Sequence, residues 1–243
     1  MSPHTSQAVL YTFRRCPYAM RGRIGLHLSS LNPQIREIIL KHKPQEMLAI
    51  SPKGTVPVLC LDEAQAKAAL SERGESALII DESLDIFTFA LTKHPSTVQS
   101  YLDKDDYQLL LQSLNWDEAK ALISQNDGEF KQNLDRYKYA DRYPEFTEQD
   151  YRDRGCEFIA KLEQRLEVNT HLFANSPTFA DFAIFPFVRQ FAHVDKKWFE
   201  SAPYPKVRNW LTTHLESKLF ADVMRKYPLW LDDKDHFIAL QSS

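Results

Sequence analysis

Pro95 divides this chain into two textures, and any fold it adopts must accommodate both. Before it, short runs of β-branched and aromatic residues alternate with helical patterns; after it the strand-like runs disappear. The runs "QAVLYTF" (7–13), "IREIIL" (35–40), "VPVLCL" (56–61) and "SALII" (76–80) read as four strands. Met20, Ile24, Leu28 and Leu31 recur at helical spacing, so an amphipathic helix is predicted from Pro17 to about residue 30, stopped by Asn32-Pro33. A short helix follows over 44–50. Another covers "DESLDIFTFALTKH", with Leu84, Phe87 and Leu91 on one face and Asp81 or Ser83 as N-cap. The segment 63–75 reads as a polar, partly helical excursion. A first crossover long enough for a helix implies a parallel strand pair, and the later short connection an antiparallel one, hence a mixed four-stranded sheet.

Beyond Pro95, "DYQLLLQSLNWDEAKALISQ", "TEQDYRDRGCEFIAKLEQRLE", "TFADFAIFPFVRQFAHV" and "YPKVRNWLTTHLES" all carry apolar residues at helical spacing. The expected organisation is an α/β domain over 1–93 and an all-helical domain over 104–243, with the boundary at 93–103. The segment "KQNLDRYKYADRYPE" is too mixed to assign, although its tyrosines and basic residues suit a cleft.

With 30 basic and 33 acidic residues and a net charge of −3, nothing in the overall charge calls for nucleic acid or an anionic membrane as partner. Three cysteines, at 16, 60 and 156, are odd in number and far apart, which points to a reducing compartment rather than a disulfide framework. The start "MSPHTSQAVLYTF" lacks a signal-peptide pattern, and no stretch approaches the roughly 20 apolar residues of a membrane span. A cytoplasmic protein is the expectation.

In "YTFRRCPYAMRGRIG" a cysteine stands between a strand and a helix opened by Pro17. The thiolate is the reactive form of cysteine, and a helix N-terminus with Arg14, Arg15, Arg21 and Arg23 nearby in sequence favours it. The plainer alternative is a cysteine that packs beside arginines on a solvated face. Ala19 stands where a two-cysteine redox motif has its second thiol, so Cys16 closes no local disulfide. Redox chemistry at Cys16 would need an external thiol to resolve a mixed disulfide, and glutathione is the abundant cytosolic candidate.

Taken with "LKHKPQEMLAISPKGTVPVL" and "DESLDI", this stretch resembles the glutathione transferase superfamily, most closely its cysteine-containing, omega-like members and related bacterial proteins. The likeness covers about the first ninety residues and continues more weakly in "SPTFADFAIFPF". It implies a thioredoxin-like α/β domain followed by an all-α domain, glutathione as co-substrate, and a homodimer. It also implies roles at named positions. Cys16 would be the catalytic nucleophile. Val56 before Pro57 resembles the family's cis-proline turn, which pairs with the cysteinyl backbone of glutathione. Glu82 and Ser83 match the acidic residue and serine that hold the γ-glutamyl group, and Lys43 a lysine near the glycyl carboxylate. The activity implied is thiol transfer or reduction acting on a mixed disulfide or small electrophile. Ordinary conjugation, with Tyr11 or another hydroxyl activating glutathione, is the alternative. A non-catalytic regulatory binding protein of the same fold is the other.

Tyr11 lies on the first strand and reads as core or as support for the site rather than as an activating hydroxyl. Thr178 and Asp181 stand at capping-box spacing before an apolar helix, a folding feature also seen in the family's helical domain. Cys60 reads as a buried filler, and Cys156 as a helix residue without a helper. His27 and the other histidines show no metal-ligand spacing, so no metal is expected. An electrophile pocket is expected between the two halves. Trp116, Tyr137, Tyr139 and Trp198 are candidates to line it, each with core packing as its commoner job.

Overall fold

The computed structural model describes residues 8–61, 79–96, 100–232, 234 and 240. The excursion at 63–75 and the start of the fourth strand lie outside them. The chain divides into two compact units, Met1–Val98 with Ala221–Ser243, and Gln99–Phe220.

The first unit holds strands β1 (Val9–Thr12), β2 (Gln34–Glu37), β3 (Val58–Cys60) and β4 (Ile79–Ile80), in the order β2-β1-β3-β4. β1 runs parallel to β2, while β3 is antiparallel to both β1 and β4, the mixed sheet expected from the connection lengths. Helices α1 (Pro17–His27), α2 (Gln45–Ile50) and α3 (Ser83–Lys93) complete it. Alternation along β1 builds two cores. Leu10 joins Leu26, Leu59, Ile86 and Ala90 on the side of α1 and α3, and Tyr11 joins Met47, Val56 and Val58 on the side of α2. Each fully buried aliphatic side chain contributes roughly 1.5–3 kcal/mol.

Local details depart from the sequence expectation in three places. β2 ends at Glu37, and Ile39 and Leu40 leave the sheet to become exposed, because Ile39 pairs with His42 in a turn. Helix α3 has Glu82, not Asp81 or Ser83, as its N-cap; the Asp81 carboxylate is drawn away by the Ser51 hydroxyl, which donates to it at 2.7 Å. Helix α1 is not amphipathic: every residue but Tyr18 is buried, Arg21 and Arg23 included.

Among the described residues the second unit is all helical: α4 (Lys104–Ser113), α5 (Asp117–Gln125), a π-turn (Asn126–Phe130), α6 (Lys131–Lys138), a 3-10 turn (Ala140–Arg142), α7 (Glu148–Arg165), α8 (Phe179–Ala192), α9 (Lys196–Ser201) and α10 (Pro205–Glu216). Side-chain caps open several of them. Asp103 accepts from the Asp106 N–H, and Thr147 pairs with Asp150 in a capping box. Phe130, Tyr137, Phe158 and Phe191 stack into a shared aromatic core.

The sequence places the residues after 220 in the helical domain, but Val223, Leu229, Trp230 and Leu240 pack with the first unit. The last helix, α11 (Lys218–Val223), leads into a segment that forms a parallel bridge from Leu229 to Glu37 on the outer edge of β2. Trp230 donates its N–H to the Glu37 carbonyl at 2.8 Å, and Leu240 donates to the Pro33 carbonyl at 3.1 Å. Trp230 enters one core of the sheet and Leu240 the other. An edge strand needs covering, and this segment supplies the cover.

Candidate active site

Helix α1 organises the site. Cys16 is its N-cap, in an extended conformation, with its N–H bonded to the Phe13 carbonyl at 3.0 Å and its carbonyl accepting from Met20 at 2.9 Å. The half-buried thiol donates to the Val56 carbonyl at 3.8 Å. The Val56–Pro57 peptide is cis. Six residues after Cys16, Gly22 of α1 faces Pro57 so closely that a Cβ there would stand 3.1 Å from the proline ring. Arg21, also buried, donates to the Ser83 hydroxyl at 3.3 Å. The structure thus brings Cys16, Val56, Pro57 and Ser83 together around one helix, although 67 positions separate the first from the last (83 − 16).

The remaining predicted residues border this group. Ser83 is buried at the first turn of α3, whereas Glu82 is exposed and ion-paired with Lys53, which also donates to the Asp81 carbonyl at 3.4 Å. Gly54 has a φ of +64°, which its missing side chain allows, in the loop that leads to Val56. A Cβ at Gly54 would lie 3.5 Å from the Lys43 Nζ, so Lys43 stands over that same loop. Neither Lys53 nor the Arg21–Ser83 contact was legible beforehand; both depend on loops and helices distant in sequence.

The four arginines near Cys16 in sequence take different places. Arg15 is exposed and lies over Phe13, Arg14 is half-buried, and Arg21 goes to Ser83. Arg23 is fully buried and donates to the Thr12 hydroxyl, to the Arg14 carbonyl at 2.7 Å and to the Val223 carbonyl at 3.0 Å. Opposite it, buried Glu37 accepts from the Arg14 N–H at 2.7 Å. Burial pushes the Glu37 carboxyl above the usual carboxylate range against the pull of the Arg14 N–H and of Arg23.

Tyr11 is buried on β1 and its hydroxyl accepts from Arg36, whose guanidinium also lies 4.0 Å from the centre of the Trp230 ring. Burial raises the Tyr11 phenol above its ordinary value. Its hydroxyl is therefore engaged by Arg36 on β2. The two other thiols are held up by burial as well. Cys60 is half-buried rather than fully so, and Cys156 does have a neighbour, the Tyr204 hydroxyl, which hydrogen-bonds it.

Within the second unit, Tyr137 is core, packed on Phe191, and Trp198 lies under Arg152 at 4.5 Å. Trp116 meets Phe173 edge-on, while Tyr139 is half-exposed between Lys138 and Arg142. The expected capping box is present at α8: the Asp181 carboxylate accepts from the Thr178 N–H at 2.8 Å and from its hydroxyl at 2.6 Å. It also accepts from the Leu172 N–H and from the Trp210 indole. Folding brings His171 and His214 beside it, with ligand-type atoms of all three within 4.8 Å, a grouping their sequence spacing did not reveal. With four protein donors already on it, the carboxylate serves as a structural hub. Burial opposes its charge, yet His171, His214 and Thr178 hold it below the usual carboxylate range.

Comparison with known proteins agrees with this architecture. Residues 10–97 match the family described as glutathione S-transferase, N-terminal domain, and residues 149–213 the glutathione S-transferase, C-terminal domain. Among solved structures, a glutathione transferase family member from Pseudomonas fluorescens with two glutathione bound is 16% identical, with a TM-score of 0.69 over 92% of this chain and 94% of that one. A glutathione transferase from Pseudomonas putida with one glutathione disulfide bound per subunit is 16% identical, with a TM-score of 0.66 over 93% and 94%. One from Phanerochaete chrysosporium in complex with oxidized glutathione is 20% identical, with a TM-score of 0.64 over 90% and 96%. At these identities the structures speak for the fold.

Proposed function

The chain belongs to the glutathione S-transferase superfamily, and from that premise we propose that it is a glutathione-dependent thiol transferase or reductase working through Cys16. The observation that carries this reading is the cysteine sulfur at the start of α1, 3.8 Å from the Val56 carbonyl and beside the residues expected to hold glutathione. The positive end of the α1 dipole favours the thiolate and makes it a better leaving group in the second step.

Glutathione would lie along Val56, with its γ-glutamyl carboxylate at Ser83 and its ammonium at Glu82. Arg21, already bonded to the Ser83 hydroxyl, adds positive charge where the carboxylate binds. Lys43 would meet the glycyl carboxylate near Gly54. The structures that hold glutathione or its disulfide on the same fold support glutathione as the co-substrate here.

In the reaction, the Cys16 thiolate attacks the glutathionyl sulfur of a mixed disulfide. A Cys16–glutathione disulfide forms as the original S–S bond breaks, and the released substrate thiolate takes up a proton. The thiolate of a second glutathione then attacks the glutathionyl sulfur, leaving glutathione disulfide and regenerating the Cys16 thiolate. The superfamily also makes a homodimer the expected assembly, which light scattering would read.

Cys16→Ser is the deciding variant. It should abolish reduction of a glutathionylated peptide while keeping affinity for glutathione by calorimetry. Undiminished turnover would overturn the mechanism.

A further inference from the structure

The turn that presents Cys16 is gripped from both sides by buried charge. Arg14, two residues earlier, has its N–H on the Glu37 carboxylate at 2.7 Å and its carbonyl on the Arg23 guanidinium at 2.7 Å. The same guanidinium also donates to the Thr12 side chain at the end of β1 and, at 3.0 Å, to the Val223 carbonyl in α11. Three acceptors, from the strand before the turn, the turn itself and the C-terminal segment, therefore converge on one buried side chain. Only a planar fork of donors satisfies three acceptors in such fixed directions; an ammonium on a flexible stem does not.

We propose that Arg23 is a positioning residue for the Cys16 thiol: its guanidinium locks the 12–14 backbone to the C-terminal segment and keeps a buried positive charge within electrostatic reach of the sulfur. The proposal rests on the reading of Cys16 as a working thiol and adds what prepares it. Solvent-exposed arginines are screened and contribute little, whereas a charge in the interior keeps its effect. Burial lowers the Arg23 guanidinium to about 10, with Glu37, Cys16 and Tyr227 opposing the shift and Arg14 adding to it, so it stays charged at neutral pH.

The test is the pH profile of Cys16 alkylation by iodoacetamide in the full chain, followed at the Cys16 peptide by mass spectrometry so that Cys60 and Cys156 do not contribute. Arg23→Lys, which keeps a charge but cannot hold three acceptors, should move the profile to higher pH. We expect about three- to tenfold slower modification at pH 6, with the limiting rate at high pH unchanged. Arg23→Met should move it further. A merely structural role would lower the melting temperature of these variants without moving the profile, and that result overturns the proposal. Where neither Arg23 variant folds, Thr12→Val removes a single acceptor: a smaller upward displacement supports the proposal, and an unchanged profile overturns it. A wild-type profile centred at the value of an ordinary free thiol would instead remove the reading of Cys16 on which the proposal stands.

Discussion

Cys16 was legible as a candidate because everything that marks it is local: a strand, a turn, and a proline that opens a helix, all within ten residues. What its neighbours do was not legible, because side chains close in sequence diverge once α1 is buried. Arg21 and Arg23 sit two positions apart and serve different acceptors, Ser83 in one case and Thr12, Arg14 and Val223 in the other. Tyr11 makes the converse point. Its sequence position allowed an activating hydroxyl, and the fold instead gives that hydroxyl to Arg36. Tyr11→Phe should therefore leave turnover of a glutathione mixed disulfide unchanged. It should cost about 1 kcal/mol of stability for one lost hydrogen bond, read as a lower urea midpoint. A large loss of activity would return Tyr11 to the site.

At the scale of elements, the packing of α1 on α3 decides where the site residues meet, and glycine permits it. At Gly25 a Cβ would stand 2.6 Å from the Phe87 Cα, a backbone atom with no freedom to move aside. Gly25→Ala should push the two helices apart at a cost of about 1–3 kcal/mol, visible as a reduced melting temperature. Because Arg21 of α1 reaches Ser83 of α3, affinity for glutathione should weaken in the same variant. An alanine variant as stable as the wild type would show that the contact relaxes elsewhere. Periodicity located both helices well, since strand and helix periods differ sharply. It located the ends less well: the α3 cap moved to Glu82 because Asp81 found a partner, Ser51, thirty residues back. Polar residues at helix starts compete for distant donors, and no local pattern records that competition.

For the whole molecule, the buried charges set how stability depends on acidity. Burial lowers the His214 imidazole to about 4, against help from Asp181 and further opposition from His171. The unfolded chain therefore takes up this proton first as pH falls below about 6.5, and stability drops between there and about 4. Between pH 7 and pH 5 this single group should remove on the order of 2 kcal/mol. The depressed Asp181 carboxyl adds to the loss at still lower pH, whereas Glu37, raised by burial, works the other way. His214 stacks flat on Phe185, so His214→Phe should keep the aromatic packing and narrow the difference between urea midpoints at pH 7 and pH 5. An unaltered difference would assign the acid sensitivity to other groups. The sequence by itself determined the two textures, the mixed sheet and the capping box at Thr178 and Asp181, because hydrophobic period, turn chemistry and loop length act over a few residues. Only the tertiary structure decided that Leu229 and Trp230 return to pair with the edge of β2 at Glu37, and that Arg23 ties Val223 to the Cys16 turn. Edge pairing and burial of charge depend on groups some two hundred positions apart, whose meeting the overall fold alone arranges.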